Sequence, residues 1–139
     1  MPYGDKRLFA LLSILFPFVD LRNQFHIDHV FPRSHFTKGR LSRAGISGDP
    51  DKLAEHANSL PNLQLLEGVI NTAKQDLLPA EWLNRTFATA EARIDYRDRH
   101  LLGDVPVGLE GFAAFHAARK SALKTRLAAM LIKPVHPNS

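Results

Sequence analysis

No cysteine occurs in the chain, which removes disulfide staples, thiolate nucleophiles and every cysteine-ligated zinc site from consideration. A Gly-rich phosphate loop of the Gly-x4-Gly-Lys-Ser/Thr type is missing as well, so the sequence encodes no nucleotide hydrolysis of that class. There are no internal repeats and no low-complexity tracts. Long hydrophobic runs are scarce. The most prominent, Leu8 to Val19, follows Lys6 and Arg7 and so has the charged start and apolar middle of a signal peptide. It falls short of the roughly 20 residues a bilayer-spanning helix needs, contains Ser13 and Pro17, and meets Asp20, Arg22 and Asn23 without a small-x-small cleavage site. The expectation is a buried helix with Asp5 as its N-cap and Pro17 disrupting its end, no membrane partner, and a cytoplasmic protein.

What is present suits one compact domain. The 139 residues are 45% hydrophobic, enough to bury a core, and 18 Lys and Arg against 14 Asp and Glu leave a formal charge of +4. A basic surplus favours polyanionic partners, DNA among them, without singling one out.

Patterning divides the chain into a short mixed core and a helical tail. Phe25 to Phe31 alternates apolar and polar residues and predicts a short strand ended by Pro32. Residues 33–61, rich in Gly, Ser, Pro and charge, predict a long loop with one short helix from Pro50 to about Asn58, started by Asp49 and Pro50. Leu63 to Leu66 predicts a second strand, and Gly68 leads into a helix through about Leu78, stopped by Pro79. Further helices are predicted from Pro79 to about Phe87, from Thr89 to about Leu102, and from Leu109 to about Ile132. In the last, Phe112, Phe115, Leu123, Leu127, Met130 and Leu131 recur near helical spacing as the packing face, with Arg119, Lys120, Lys124 and Arg126 mostly elsewhere. Trp82 is expected to anchor the tail to the core. The fold class is therefore α+β and mostly helical: a single domain over 1–139, with a mixed core over 23–79, an N-terminal helix in 1–22 and a helical tail over 80–139.

Chemistry concentrates at His26-Ile27-Asp28-His29-Val30-Phe31-Pro32, answered later by Asn62-Leu63-Gln64-Leu65-Leu66 and by Asn71 with Lys74. An Asp beside a His at the end of an apolar strand, with an Asn on a following helix, supplies the donor types of a hard-metal site next to a base. Hydrolysing a phosphodiester needs a water activated in line and charge stabilised on the leaving and non-bridging oxygens. His29 is the candidate base, because a neutral imidazole with an ordinary pKa of about 6.5 accepts a proton from water near neutral pH. Asp28 is the candidate metal carboxylate and Asn71 the second oxygen donor, a set that suits Mg²⁺ or Mn²⁺ and argues against zinc, so no structural zinc is expected.

Asn62 is placed as a brace whose side-chain amide bonds the loop backbone and holds Asp28 and His29. Lys74, three residues after Asn71 and on the same helical face, is either a contact to the scissile phosphate or a neighbouring one, or an ordinary solvated lysine. His26 shares a strand face with Asp28, as a further metal or phosphate contact or as a half-buried structural histidine. Arg33, Lys38, Arg40 and Arg43 stud the long loop, either gripping a DNA backbone or serving as ordinary loop charge. His35, His56, His100, His116 and His136 lack a partner pattern and read as surface or structural.

These same residues carry a resemblance. Asp28-His29-Val30-Phe31-Pro32, then Asn62-Leu63-Gln64-Leu65-Leu66, then Asn71 with Lys74 resemble the HNH endonucleases, whose ββα-metal core carries a His, an Asn and a final His or Asn in that order. The likeness is to the subgroup ending in Asn. More closely, the stretch from Tyr3-Gly4-Asp5-Lys6-Arg7 through the His26 to Pro32 run to Pro79-Ala80-Glu81-Trp82-Leu83 is similar to the C-terminal HNH domain of GmrSD-type, modification-dependent restriction enzymes. The resemblance implies a ββα-metal core over 23–79 and a metal-dependent DNA endonuclease, a phosphodiester hydrolase serving restriction and phage defence. It puts His29 at the general-base position, Asp28 and Asn71 at the metal positions and Asn62 at the loop-holding position, with 5′-phosphate and 3′-hydroxyl products.

The family's larger members add an N-terminal nucleotide-hydrolysing and recognition portion that this sequence does not contain. NTP dependence and recognition of modified bases are therefore not carried over, and a separate recognition domain or subunit is the partner that would supply them. The rival expectation is a non-catalytic DNA-binding or assembly module that keeps the nuclease fold while a partner does the chemistry. A helical protein-interaction domain, suggested by the amphipathic tail alone, is the third.

Overall fold

A computed structural model describes residues 2–18, 25–67 and 74–132. Within them the chain is α+β and mostly helical, with one small two-stranded antiparallel sheet. Helix α1 (Arg7–Leu15) buries Leu8, Leu12 and Leu15, which fall on one face at helical spacing. Its N-cap is Lys6, which makes no side-chain cap bond, rather than the expected Asp5; the Asp5 carboxylate, one residue earlier, accepts the Arg7 backbone N–H at 2.9 Å and holds the Arg7 guanidinium at 2.8 Å. The helix closes at Leu15, and Phe16 leaves the helical region at φ −126°, ψ 68° because a following proline disfavours it there. Val19, the end of the apolar run, lies outside the described residues. Among those described, no helix is long and apolar enough to cross a membrane.

Strands β1 (Phe25–His29) and β2 (Leu63–Glu67) pair with Phe25 opposite Glu67, Asp28 opposite Gln64 and His29 opposite Leu63. Side chains alternate across a strand, so Phe25, Ile27, Leu63 and Leu65 face α1 and pack on Leu8, Leu12, Leu15 and Phe16. Asp28, Gln64 and Leu66 face the opposite way, toward the helical tail. The first strand stops two residues short of the predicted Phe31. Val30 and Phe31 instead run out of the sheet into a second buried cluster with Phe36, Leu41, Ala57, Phe112 and Phe115.

The stretch 33–61, expected as a loop with a single helix, holds more structure. Helix α3 (Pro50–Ala57) starts as predicted from Asp49 and Pro50. Beyond the expected helix lie α2 (Lys38–Arg43), where the Thr37 hydroxyl accepts the Arg40 N–H at 3.2 Å, and the 3-10 turns Arg33–His35 and Leu60–Asn62. α2 gave no periodic signal because it buries only Leu41 and contains Gly39. The helix predicted from Gly68 falls mostly outside the described residues. Lys74 is helical, and Gln75, at φ 47°, turns the chain out of it before the predicted end at Leu78.

The tail follows its punctuation. Helix α4 (Pro79–Thr86) begins on its proline, and α5 (Ala90–Arg99) is capped by Thr89, which accepts the Ala92 N–H at 3.1 Å. Helix α6 (Phe112–Ile132) follows a 3-10 turn at Leu109–Gly111. Trp82 is 2% exposed, packs with Leu66 and Leu83, and meets Phe87 and Tyr96 edge-on, joining β2 to the tail as expected.

Two features of α6 correct the sequence reading. Met130 and Leu131 are exposed rather than part of the packing face, which ends with Leu123 and the partly buried Leu127. Arg119, placed off that face, is on it at 1% exposure. It donates to the carbonyls of Pro61 (3.1 Å), Leu63 and His100 (3.0 Å) and lies over the Phe16 ring. Burial pulls its pKa down to about 10, so the guanidinium stays charged at neutral pH.

Candidate functional site

The sheet register sets Asp28 beside Gln64, whose Nε2 donates to Asp28 Oδ2 at 3.1 Å. Lys74 Nζ stands 3.3 Å from the same oxygen and donates to the backbone carbonyls of His29 (2.7 Å) and Val30 (3.2 Å). An ammonium has three donors, and here three protein oxygens face them. Lys74 is also 1% exposed. It is thus neither a phosphate contact nor a solvated helix lysine: it clamps the end of β1 to the segment after β2. Burial lowers its pKa, while the Asp28 charge and hydrogen bond act the other way. The Asp28 side chain itself remains 14% exposed.

His29, the last residue of β1, is half-buried against the Tyr3 ring, with centroids 4.6 Å apart. Its Nε2 lies 2.8 Å from Asn58 Oδ1. An amide oxygen only accepts, so with this amide orientation Nε2 carries the proton and Nδ1 keeps the lone pair. Burial is the largest influence on the ring and lowers its pKa. The Asn58 bond and the Asp28 charge pull upward, and the Arg33 and Lys74 charges pull down. The net direction keeps the imidazole neutral at pH 7, the form a base requires.

Asn58 was not singled out from the sequence. It closes α3 at its C-terminal end, and its carbonyl accepts the Tyr3 N–H at 2.6 Å, so the N-terminal segment secures it. The available sign was an Asn directly after the helix started by Asp49-Pro50. Asn62, fully buried, bonds loop backbone as expected. Its Oδ1 accepts the Phe31 N–H at 2.9 Å, its Nδ2 donates to the carbonyls of Phe31 (3.0 Å) and Ala57 (2.9 Å), and its own carbonyl accepts the Val30 N–H at 2.8 Å.

Tyr96 of α5, also unanticipated, donates its hydroxyl to Gln64 Oε1 at 2.7 Å. No local pattern marks such a residue, because the contact arises only when the tail packs on the sheet. His26 is exposed, so it is not the half-buried structural histidine that was one of its two readings. Arg33 and Lys38 are exposed in the segment just after β1. Arg40 lies 3.8 Å from Asp76, Arg43 bonds the Gly39 carbonyl, and His35 Nε2 meets the Asp76 carbonyl at 2.7 Å. His100 is buried, stacked on Phe16 and Tyr96, and His116 meets Ser59 Oγ at 2.8 Å; both are structural. His136 lies outside the described residues.

Asn71, the second expected metal donor, also lies outside the described residues. Among those described, no three His, Asp or Glu side chains converge on one point, so Asp28 alone represents the expected metal grip. Its chemistry fits a hard cation: Oδ2 is tied by Gln64 and Lys74, and among the described residues no donor bonds Oδ1. No family model matches the chain, and no curated protein matches it.

Proposed function

We propose that the protein is a metal-dependent DNA endonuclease with an HNH-type ββα-metal core, cutting foreign or modified DNA in the cytoplasm. One observation supports this reading above the others: Asn62 and Lys74, from two later and separate stretches of the sequence, meet the Asp28-His29 motif at the end of one strand. Asn62 bonds the backbone of Phe31, Lys74 bonds the carbonyls of His29 and Val30, and between them stand Asp28 and His29. A turn cap would not need a buried lysine and a buried asparagine converging on three consecutive residues.

In this reading His29 takes the proton of the attacking water at Nδ1, while Asn58 holds the Nε2 proton and with it the tautomer. Asn62 and Lys74 keep the backbone that carries His29 and Asp28 from shifting, which matters because misplacement by about 1 Å can cost on the order of 100-fold in rate. Asp28 and Asn71 are the residues that would hold Mg²⁺ or Mn²⁺, and the ion would supply charge stabilisation at the scissile phosphate and leaving oxygen. The exposed Arg33 and Lys38 supply positive charge for the flanking phosphates. Hydrolysis then leaves 5′-phosphate and 3′-hydroxyl ends.

The test is incubation of supercoiled plasmid with the protein and Mg²⁺ or Mn²⁺, beside EDTA and His29→Ala controls. Nicked or linear product that needs the metal and His29 is expected. Binding without cleavage, across both metals and across plain and modified DNA, would instead select the non-catalytic DNA-binding module.

A further inference from the structure

We propose that Gln64 and Tyr96 are positioning residues for the Asp28 carboxylate, so that the helical tail completes the metal-binding half of the site. The inference rests on the nuclease reading of Asp28. Gln64 is 1% exposed, so both ends of its amide need partners inside the protein. Nε2 meets Asp28 Oδ2 at 3.1 Å and Oε1 receives the Tyr96 hydroxyl at 2.7 Å. The reverse orientation would set the Gln64 carbonyl against a carboxylate, acceptor facing acceptor. Only one orientation satisfies both neighbours.

Tyr96 is itself held in place. Its ring stacks on His100 at 4.1 Å between centroids and packs against Trp82 at 5.3 Å and Phe87 at 5.1 Å. Rigidity therefore passes from α4 and α5 through one phenol and one amide to Asp28. Because Gln64 and Lys74 both meet Oδ2, that oxygen is held in place, and Oδ1 is the one that no donor among the described residues bonds and that could meet a cation. Partners that orient a metal-binding carboxylate in this way typically change metal affinity by about 10–100-fold.

Tyr96→Phe in the full chain removes the hydroxyl and keeps the ring. Titration calorimetry with Mn²⁺ alone should show binding weakened by about tenfold, the melting temperature should fall by a few degrees for the one buried hydrogen bond lost at Gln64 Oε1, and plasmid cleavage should recover as Mg²⁺ is raised. Gln64→Leu should weaken Mn²⁺ binding similarly, and adding Tyr96→Phe to it should have little further effect, because the two act through one chain of bonds. Unchanged Mn²⁺ affinity in Tyr96→Phe, or a fall in melting temperature alone, overturns the proposal. If wild-type protein cleaves plasmid while Tyr96→Phe binds Mn²⁺ normally, only this inference fails. A wild type that neither binds Mn²⁺ nor cleaves removes the nuclease reading along with it.

Discussion

His29 and the residues that touch it give the sharpest expectations at the scale of single side chains. Burial holds its pKa below the ordinary 6.5, so the neutral ring persists into mildly acid solution and the acidic limb of the cleavage rate should lie below that value. The Asn58 bond acts upward, so Asn58→Ala should push the limb further toward acid while lowering the plateau rate, since the free ring can then exchange tautomers. A pH–rate profile of the two proteins checks both signs. Asn62→Ala removes three buried hydrogen bonds, and urea unfolding should show a loss of about 2–4 kcal/mol. The part played by Asn62 was legible because an Asn ahead of a strand is a known backbone-bonding device. That of Lys74 was not, since its burial depends on carbonyls some 44 and 45 positions away in the chain.

Elements were legible where the chain marks their ends. Asp49-Pro50, Pro79 and Thr89 announce three helix starts, and the alternation around Ile27 announces the first strand. Thr89→Ala should cost about 1 kcal/mol by loss of the α5 cap. What failed was the assignment of charge to solvent. Arg119 occupies the stripe of Phe112, Phe115 and Leu123 at helical spacing, yet its charge suggested an outward face, and only the orphan carbonyls of Pro61, Leu63 and His100 explain a guanidinium there. Arg119→Met should therefore destabilise the protein by roughly 3 kcal/mol in urea, because three carbonyls lose their donor.

Across the whole molecule, burial of histidines couples folding to pH. Burial is the largest cause of the low pKa of His100, about 3, and of His116, about 4, against an ordinary value of 6.5; nearby charges add to both, Arg119 and Arg99 beside His100, and His56 followed by Lys120 beside His116. Because the unfolded chain binds these protons and the folded one resists them, stability is full above about pH 6.5 and declines as pH falls toward each folded value. His100→Phe keeps an aromatic ring beside Phe16 and Tyr96 and should flatten that decline, by up to roughly 4 kcal/mol between pH 6.5 and 3, in melting curves taken across the range. The α+β architecture and its order of elements were within reach of the sequence, but the packing of the tail against the Asp28 face was not. No residue in 80–139 carries a sign, before folding, that Tyr96 will meet Gln64.

The nuclease proposal meets its most direct test in single-turnover cleavage of an end-labelled DNA duplex in Mg²⁺ by wild type and His29→Ala, with folding of both confirmed by circular dichroism. Removal of a general base is expected to slow cleavage by about 100- to 10,000-fold while DNA binding is kept. Equal rates for the two folded proteins would contradict it.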